Sequence, residues 1–298
     1  AHTEAGHLSG IVGKPVIDRT PQGRLGYQVP PVQYADQDVT QRTSGGTVRG
    51  LLRKVLSLYP SANKVGVITH NCQLPEIEKP DRLWSQRIVK REYFRSGRDR
   101  ASNAWLGCDL IVVLGTPRVP PVAVRDGLLR LGEIEAAARD GDFGAVRWEG
   151  RTVAGEAVWT EGKGYGDPAW AGMQNLLVRE ALLQAVGRGR GVTSEGVPVV
   201  VVSNEPLGLP LADSPLDPVT DAEAEIHRLF VGLTAQIAKE SNIADRAVTT
   251  AQVAGSSPYE ERYVRQVLSS LSSHGLLRRK GARGGWLCNS RNANAQPN

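Results

Sequence analysis

No stretch of this chain approaches the roughly 20 apolar residues that a membrane helix needs. The longest apolar run, around Val197–Val202, has the length of a buried strand instead. Cysteine is scarce. Cys72, Cys108 and Cys288 stand far apart, with no CxxC pair and no Cys/His cluster at zinc spacing. A metal site is therefore not expected, and a reducing, cytoplasmic compartment is. The opening AHTEAGHLSG lacks a basic stretch followed by an apolar core, so it does not read as a secretory signal. A chain that begins at Ala1 without Met is expected to be a fragment or a processed product.

One further absence is local. Between Arg262 and Arg291 there are seven Arg or Lys and no Asp or Glu, although the whole chain carries 36 basic and 31 acidic residues. The positive excess therefore lies in one C-terminal module, which points to a polyanionic partner. What remains is globular in composition, with 40% hydrophobic and 22% charged residues in a chain of 298.

Residues 1–44 show no sustained period and read as a tail or the end of a preceding domain. From there to 212, strands and helices alternate. Apolar spacing predicts a helix over Leu51–Tyr59, stopped by Pro60, and then a strand at Val65–Thr69. DRLWSQRIVKREYF reads as a helix running into a strand. Leu110–Leu114 is a continuous apolar run, as in a parallel strand buried on both faces. A helix is expected over Val122–Arg139 and a hairpin excursion over about 143–166. Asp167 and Pro168 then cap and start a long helix, and Val197–Pro206 holds another strand. The class is α/β, with a mostly parallel sheet and helices on both faces. Pro206–Pro218, rich in proline and without helical period, reads as a linker.

Residues 213–290 form a second, smaller module, followed by a disordered tail at 291–298. Helices are expected over Asp221–Lys239, over a short Thr-capped segment, and over a third stretch that ends at Gly275. Two short strands around a Gly-rich turn follow. In the third helix Val264, Val267, Leu268 and Leu271 share one face. Arg262, Arg265, Gln266, Ser269 and Ser273 lie opposite. An apolar anchor behind and hydrogen-bond donors in front suit a helix that reads a nucleic-acid groove. Arg278, Arg279, Lys280 and Arg283 could reach phosphates, and Trp286 returns as an apolar plug. Residues 219–288 resemble a winged helix-turn-helix in this pattern. The bland alternative is a small helical domain with a solvated basic face.

Within 45–212, three features come in order. A strand ends in Thr69-His70. A polar Ser102-Asn103 loop precedes the Leu110–Leu114 strand. A helix ends in QAVGRGR (Gln184–Arg190). Together they resemble motifs IV, V and VI of the second RecA-like domain of superfamily 2 helicases. The resemblance implies that Gln184 and Arg188, with Arg190, face an ATP held by a partner RecA-like domain. Arg188 would be the arginine finger, which stabilises charge on the transferred phosphoryl group. It also implies that Gly187, Ser102 and Asn103 lie at the nucleotide, and that Thr69 and His70, assisted by Asn71, contact DNA phosphates. Trp105, in a polar loop, is a candidate for stacking on a base, while Trp148, Trp159 and Trp170 read as packing residues.

The chain departs from the family pattern in two ways. Arg190 follows Arg188 by two residues where the family has three, and the 143–166 excursion is not a general feature. ATP hydrolysis also needs a phosphate cradle and acids for Mg2+. No GxxxxGK[ST] loop and no DExH or DEAD run occurs here; GIVGKP (Gly10–Pro15) has the wrong spacing. The chain alone is therefore expected to be inactive as an ATPase. The missing domain would lie upstream or on another polypeptide. Simpler readings stand beside these. A Gly-Arg pair after a helix can be a C-terminal cap with favourable dipole charge, Ser102-Asn103 a plain turn, and His70 a satisfied loop histidine. Two rival functions are a DNA-binding regulator without nucleotide chemistry, and another α/β enzyme with its pocket near Thr69, Thr116 and Ser203.

Overall fold

The computed structural model describes residues 28–81, 84–96, 105, 107–191, 196–241, 247–273, 277–280 and 285–288. These gather into two compact units. The first takes described residues up to Thr43, then Ala62–Pro80 and Ser85–Leu216; the second takes Ser44–Ser61, Asp81–Trp84 and described residues from Asp217 onward. Among the described residues, no helix is long and apolar enough to cross a membrane.

The first unit is built on a five-stranded sheet. Its strands are β1 (Val32–Tyr34), β2 (Val65–Thr69), β3 (Ile88–Tyr93), β4 (Leu110–Leu114) and β7 (Val199–Val202), in the order β1-β7-β4-β2-β3. All four pairings are parallel. β2, β4 and β7 are buried along their whole length, as continuous runs of apolar, largely β-branched residues require. Alternate residues on one face, Ile111 and Val113 with Val199 and Val201, pack against Val178, Leu182, Ala185 and Val186 of helix α5 (Pro168–Val186). Each such buried aliphatic side chain contributes about 1.5–3 kcal/mol. Asp167 caps α5 by accepting from the Ala169 and Trp170 amides.

Other helices and strands of this unit are α2 (Leu74–Glu78), α3 (Pro121–Arg130), α4 (Ile134–Ala138), β5 (Phe143–Arg151) and β6 (Ala157–Tyr165). The single helix expected over Val122–Arg139 is two, because the chain turns at Gly132 with φ 81°. β5 and β6 form the expected hairpin, an antiparallel ribbon separate from the main sheet. The helix expected before β3 is not formed at Trp84–Arg87, which is a turn.

Two expectations about organisation are corrected. Residues 32–34 are no tail: they add an edge strand beside β7. Gln33, fully buried, holds it there by donating to the carbonyls of Ser203 and Glu205 at 2.7 Å each. The expected linker belongs to the first unit as far as Leu216. Leu207, Leu209, Leu211 and Leu216 are all buried. Leu211 bonds Arg151 and Val153 of the hairpin through its own amide and carbonyl, and Ala212 donates to Gln33. Leucines between the prolines supply the apolar contact, and the remaining amides supply the bonds.

The second unit contains α1 (Gly45–Leu58), α6 (Asp221–Ser241), α7 (Thr250–Gly255), α8 (Glu261–Ser273), β8 (Leu277–Arg279) and β9 (Trp286–Cys288). The expected division after residue 212 therefore needs revision, since α1 groups with the C-terminal elements. Arg53 on α1 pairs with Asp81 at 2.7 Å, both side chains being about nine-tenths buried. Gly50 accepts from the Val219 amide at 3.1 Å. A Cβ at position 50 would stand 2.9 Å from Pro218 Cβ, so only glycine permits this approach without a shift. α7 carries a capping box, with Thr249 and Gln252 satisfying each other's backbone amides. β8 and β9 are antiparallel, and Val248 adds a bridge to Trp286.

Candidate functional site

In a parallel sheet all strands begin at one edge. The segment Trp105–Asp109 leads into β4 and the turn Gly187–Gly189 precedes β7, so both reach the amino edge on neighbouring strands. Backbone bonds fix them there. Gly189 accepts from Val197 at 2.7 Å, Ile111 donates to Pro198 at 3.0 Å, and Asp109 donates to Lys64 at 2.7 Å. Asp109 also accepts from the amides of Asn63 and Lys64, both at 2.9 Å, which ties the start of β2 to the same edge.

The turn itself explains its glycines. A Cβ on Gly189 would lie 2.1 Å from Val199 Cγ2 and 3.0 Å from the Val197 carbonyl, so the turn packs directly on β7. A Cβ on Gly187 would meet nothing within 4 Å. Gly189 is therefore needed for packing, while Gly187 is surrounded by open space. Arg188 is half-buried and Arg190 exposed. Arg190 has φ 49°, a left-handed conformation that costs a non-glycine residue roughly 1–2 kcal/mol. Gln184, one turn before Arg188, donates to Glu180 at 2.8 Å. It lines a groove of about 350 Å³ with Asp126 and Arg130 of α3 and Arg95. Ser102 and Asn103 lie outside the described residues.

For a nucleotide phosphate, the fitting residues at this edge are Arg188 and Arg190, with Gln184 one turn away. Both arginines sit on a turn that packs against β7. Among the described residues, no group of three or more His, Cys, Asp or Glu side chains comes together as a metal site.

The opposite, carboxyl edge differs from expectation. Thr69 is fully buried and its hydroxyl donates to the Leu114 carbonyl at 2.9 Å. His70 is 7% exposed; its Nε2 lies 3.0 Å from the Val39 carbonyl and its ring meets Phe94 edge-on. Burial lowers the His70 pKa, and the nearby Arg118 and Arg95 lower it further against Val39 and Asp38. Neither residue presents its polar atoms to a DNA phosphate here, which corrects their assignment to a DNA track. Asn71 is exposed at the start of a short 3-10 turn. Val39, which also accepts from the Thr116 amide, covers the ends of β2 and β4. Thr116 bonds Asp38 at 2.6 Å and Ser203 at 2.7 Å. Thr69, Thr116 and Ser203, where an alternative enzyme would need its pocket, are buried and hydrogen-bonded to their neighbours.

Trp105 is also interior, 3% exposed, and a Cβ on Gly66 would stand 2.6 Å from its ring. It is a core residue of the sheet rather than a stacking platform. Trp170 is buried as expected, but Trp159 is 61% exposed on the hairpin, with the Arg147 guanidinium 5.7 Å from its ring centre.

In the second unit, Val264, Val267, Leu268 and Leu271 of α8 are buried against Ile226, Phe230 and Trp286, among others. Arg262, Arg265, Gln266, Arg278, Arg279 and Lys280 are all exposed. Arg265 is paired with Glu261 at 2.8 Å, and Arg279 lies 5.8 Å from the centre of the Trp286 ring. Gly285 admits the Val248 carbonyl to a point only 2.3 Å from where a Cβ would stand, which lets β9 bridge to Val248. Arg283 lies outside the described residues.

The reading from sequence did not find the group of half-buried Asp38, Arg118 and Asn204 around buried Glu205. Arg118 bonds Asp38 at 3.2 Å and Asn204 at 2.8 Å. Burial, then Asp38, push Glu205 up to about 7, against Arg118 and Gln174. No local signal marks these residues, because the contacts cross from residue 38 to residue 205. Comparison of the chain with protein-family models, curated proteins and solved structures finds no match.

Proposed function

We propose that this chain is the C-terminal part of an ATP-dependent DNA helicase-like protein of replication or mobile elements, acting in the cytoplasm. Its first unit is a RecA-like domain and its second a winged helix that binds DNA. The observation that carries the reading is the shared amino edge, where the Arg188 turn and the segment entering β4 lie on neighbouring strands. In the helicase pattern these are the two segments that face nucleotide. ATP, with Mg2+, would supply phosphoryl-transfer energy from a site held mainly by an upstream or partner RecA-like domain. Arg188 would contribute a fixed guanidinium fork there, Gln184 an amide, and Arg190 a second charge. Packing of Gly189 on β7 holds the turn in position for this.

The second unit supports the DNA part. Three helices and an antiparallel hairpin follow in the order of a winged helix, with Val248 bridging to the hairpin. Arg262 and Gln266 on α8, and Arg278 and Lys280 on the hairpin, are the exposed donors for bases and phosphates.

The test replaces Arg188 with Ala in the protein carrying its nucleotide-binding domain. DNA-stimulated ATP hydrolysis should fall by about 10³-fold or more, with nucleotide binding largely preserved. Turnover equal to the parent would remove the arginine-finger role. Binding to one strongly preferred DNA site, without any ATP dependence, would favour a regulator instead.

A further inference from the structure

The turn that carries Arg188 and Arg190 meets a second segment besides β7. The chain enters β1 through Gln28, Val29, Pro30 and Pro31. The amides of Gln28 and Val29 both donate to the carbonyl of Gly191, at 2.7 and 3.1 Å. Gly191 directly follows Arg190, so this clamp closes on the far end of the turn. Pro30 and Pro31 hold φ at about −65°, and each biases the residue before it to extended backbone. They make a stiff strut between the clamp and β1. The other end of the strut is fixed. Val32 pairs with Val200 of β7, and Gln33 donates to the Ser203 and Glu205 carbonyls at 2.7 Å each.

The turn needs such a clamp. Arg190 is left-handed, with φ 49°, and a residue with a Cβ keeps that conformation where its surroundings impose it. The Arg190 amide also closes the turn around Arg188, by donating to the Gly187 carbonyl at 3.2 Å. Two sides hold this geometry. On the sheet side, Val197 donates to the Gly189 carbonyl at 2.7 Å. A Cβ on Gly196 would stand 2.7 Å from the Arg190 carbonyl oxygen and 2.7 Å from Gly191 Cα. That side is the approach to β7 and is fixed by the sheet. On the other side stand the Gln28 and Val29 amides, at the entry to an edge strand, with Gln28 exposed. Exposed backbone bonds at the end of an element are among the first to open, so this is the side that can release the turn.

We propose that Gln28 and Val29 are positioning residues for the arginine turn, acting through their backbone amides on the Gly191 carbonyl. With the clamp closed, Arg190 stays left-handed and the turn around Arg188 stays shut. With the clamp open, Arg190 relaxes towards right-handed backbone, its amide leaves Gly187, and both guanidinium groups lose their fixed direction. Displacement of the chain before Gln28 is thereby passed to Arg188 and Arg190. The consequence for turnover rests on the arginine-finger reading; the clamp itself does not.

Native-state amide exchange of the whole chain over a urea series tests the clamp without any substitution. The Gln28, Val29 and Arg190 amides should open together, with one urea dependence, while β4 stays protected. Opening of Arg190 independently of Gln28 and Val29 overturns the proposal. Val29→Pro removes one donor and keeps the strut extended. The Arg190 amide should then exchange about tenfold faster. The Gln33 amide, bonded to the Pro210 carbonyl at 2.9 Å, should be unchanged, which checks that β1 is still seated. Val29→Ala keeps the donor and should keep the parent's exchange rates. An Arg190 rate unchanged by Val29→Pro overturns the clamp. In the protein carrying its nucleotide-binding domain, Val29→Pro should lower kcat for DNA-stimulated ATP hydrolysis about tenfold at unchanged KM for ATP. Parent turnover in Val29→Pro, where Arg188→Ala collapses it, overturns the positioning role. Parent turnover in Arg188→Ala defeats the finger reading instead, and amide exchange then decides the clamp by itself.

Discussion

Gly189 lies against Val199 so closely that a Cβ would fall 2.1 Å from Val199 Cγ2. The turn that carries Arg188 is thereby seated on the first residue of β7. Gly189→Ala forces this contact apart and should destabilise the chain by about 1–3 kcal/mol. Gly187→Ala meets open space at φ −59° and should be neutral, or stabilising by up to about 1 kcal/mol. Urea denaturation of the two variants checks the contrast. Equal effects would mean that the turn does not pack on β7 in solution.

Two histidines set an acid limit on stability. Burial lowers the pKa of His70 in the first unit and of His227 in the second. A histidine held neutral contributes stability above its unfolded value of about 6.5, and this is lost as pH falls through the lowered folded value. Each unit should therefore unfold more readily as pH falls below about 6.5. His70→Gln should flatten the part of the profile that belongs to the first unit. Glu205 has the opposite slope, because burial raises its pKa, and Glu205→Gln separates the two contributions.

The exposed face of α8 and β8 predicts a graded salt response. Arg262→Ala and Arg278→Ala should each weaken duplex binding across all sequences and reduce the salt slope by about 1. Arg265→Ala should do less, because Glu261 already holds Arg265 at 2.8 Å. Glu261→Gln should tighten binding by releasing it. Fluorescence anisotropy over a salt series measures all four variants. A flat salt response from the unsubstituted chain would contradict phosphate contact.

Several of these features were legible in sequence because their causes are local. Leu110–Leu114 and Val199–Val202 are continuous apolar runs and became central parallel strands. Asp167-Pro168 and the Thr cap of the short helix marked helix starts. The features that were missed have distant causes. β1 is three residues, VQY, with no period of its own, and Gln33 holds it through partners 170 and 172 positions away. Leu211 looked like linker because prolines flank it, yet its backbone bonds Arg151 and Val153, and its neighbours Pro210 and Ala212 bond Gln33 of β1. Thr69 and His70 lie at a strand end, as their spacing requires. Whether such an end is open depends on Val39, thirty residues earlier, whose carbonyl takes the His70 contact.

The same long-range logic decides where the second unit begins. Arg53 and Asp81 form a 2.7 Å ion pair, and Arg53 also reaches the Val219 carbonyl at 3.4 Å. Removing one member of a buried pair strands the other charge, which costs about 3–5 kcal/mol. Arg53→Ala should therefore lower the unfolding midpoint of the second unit while the first unit's midpoint is kept. A fragment of residues 213–298 lacks α1 altogether and loses the Gly50–Val219 bond with it. It should unfold at lower denaturant than the second unit does within the whole chain, and adding a peptide of residues 44–61 should restore part of the difference. A fragment as stable as the intact unit would move the boundary back to the linker read from sequence.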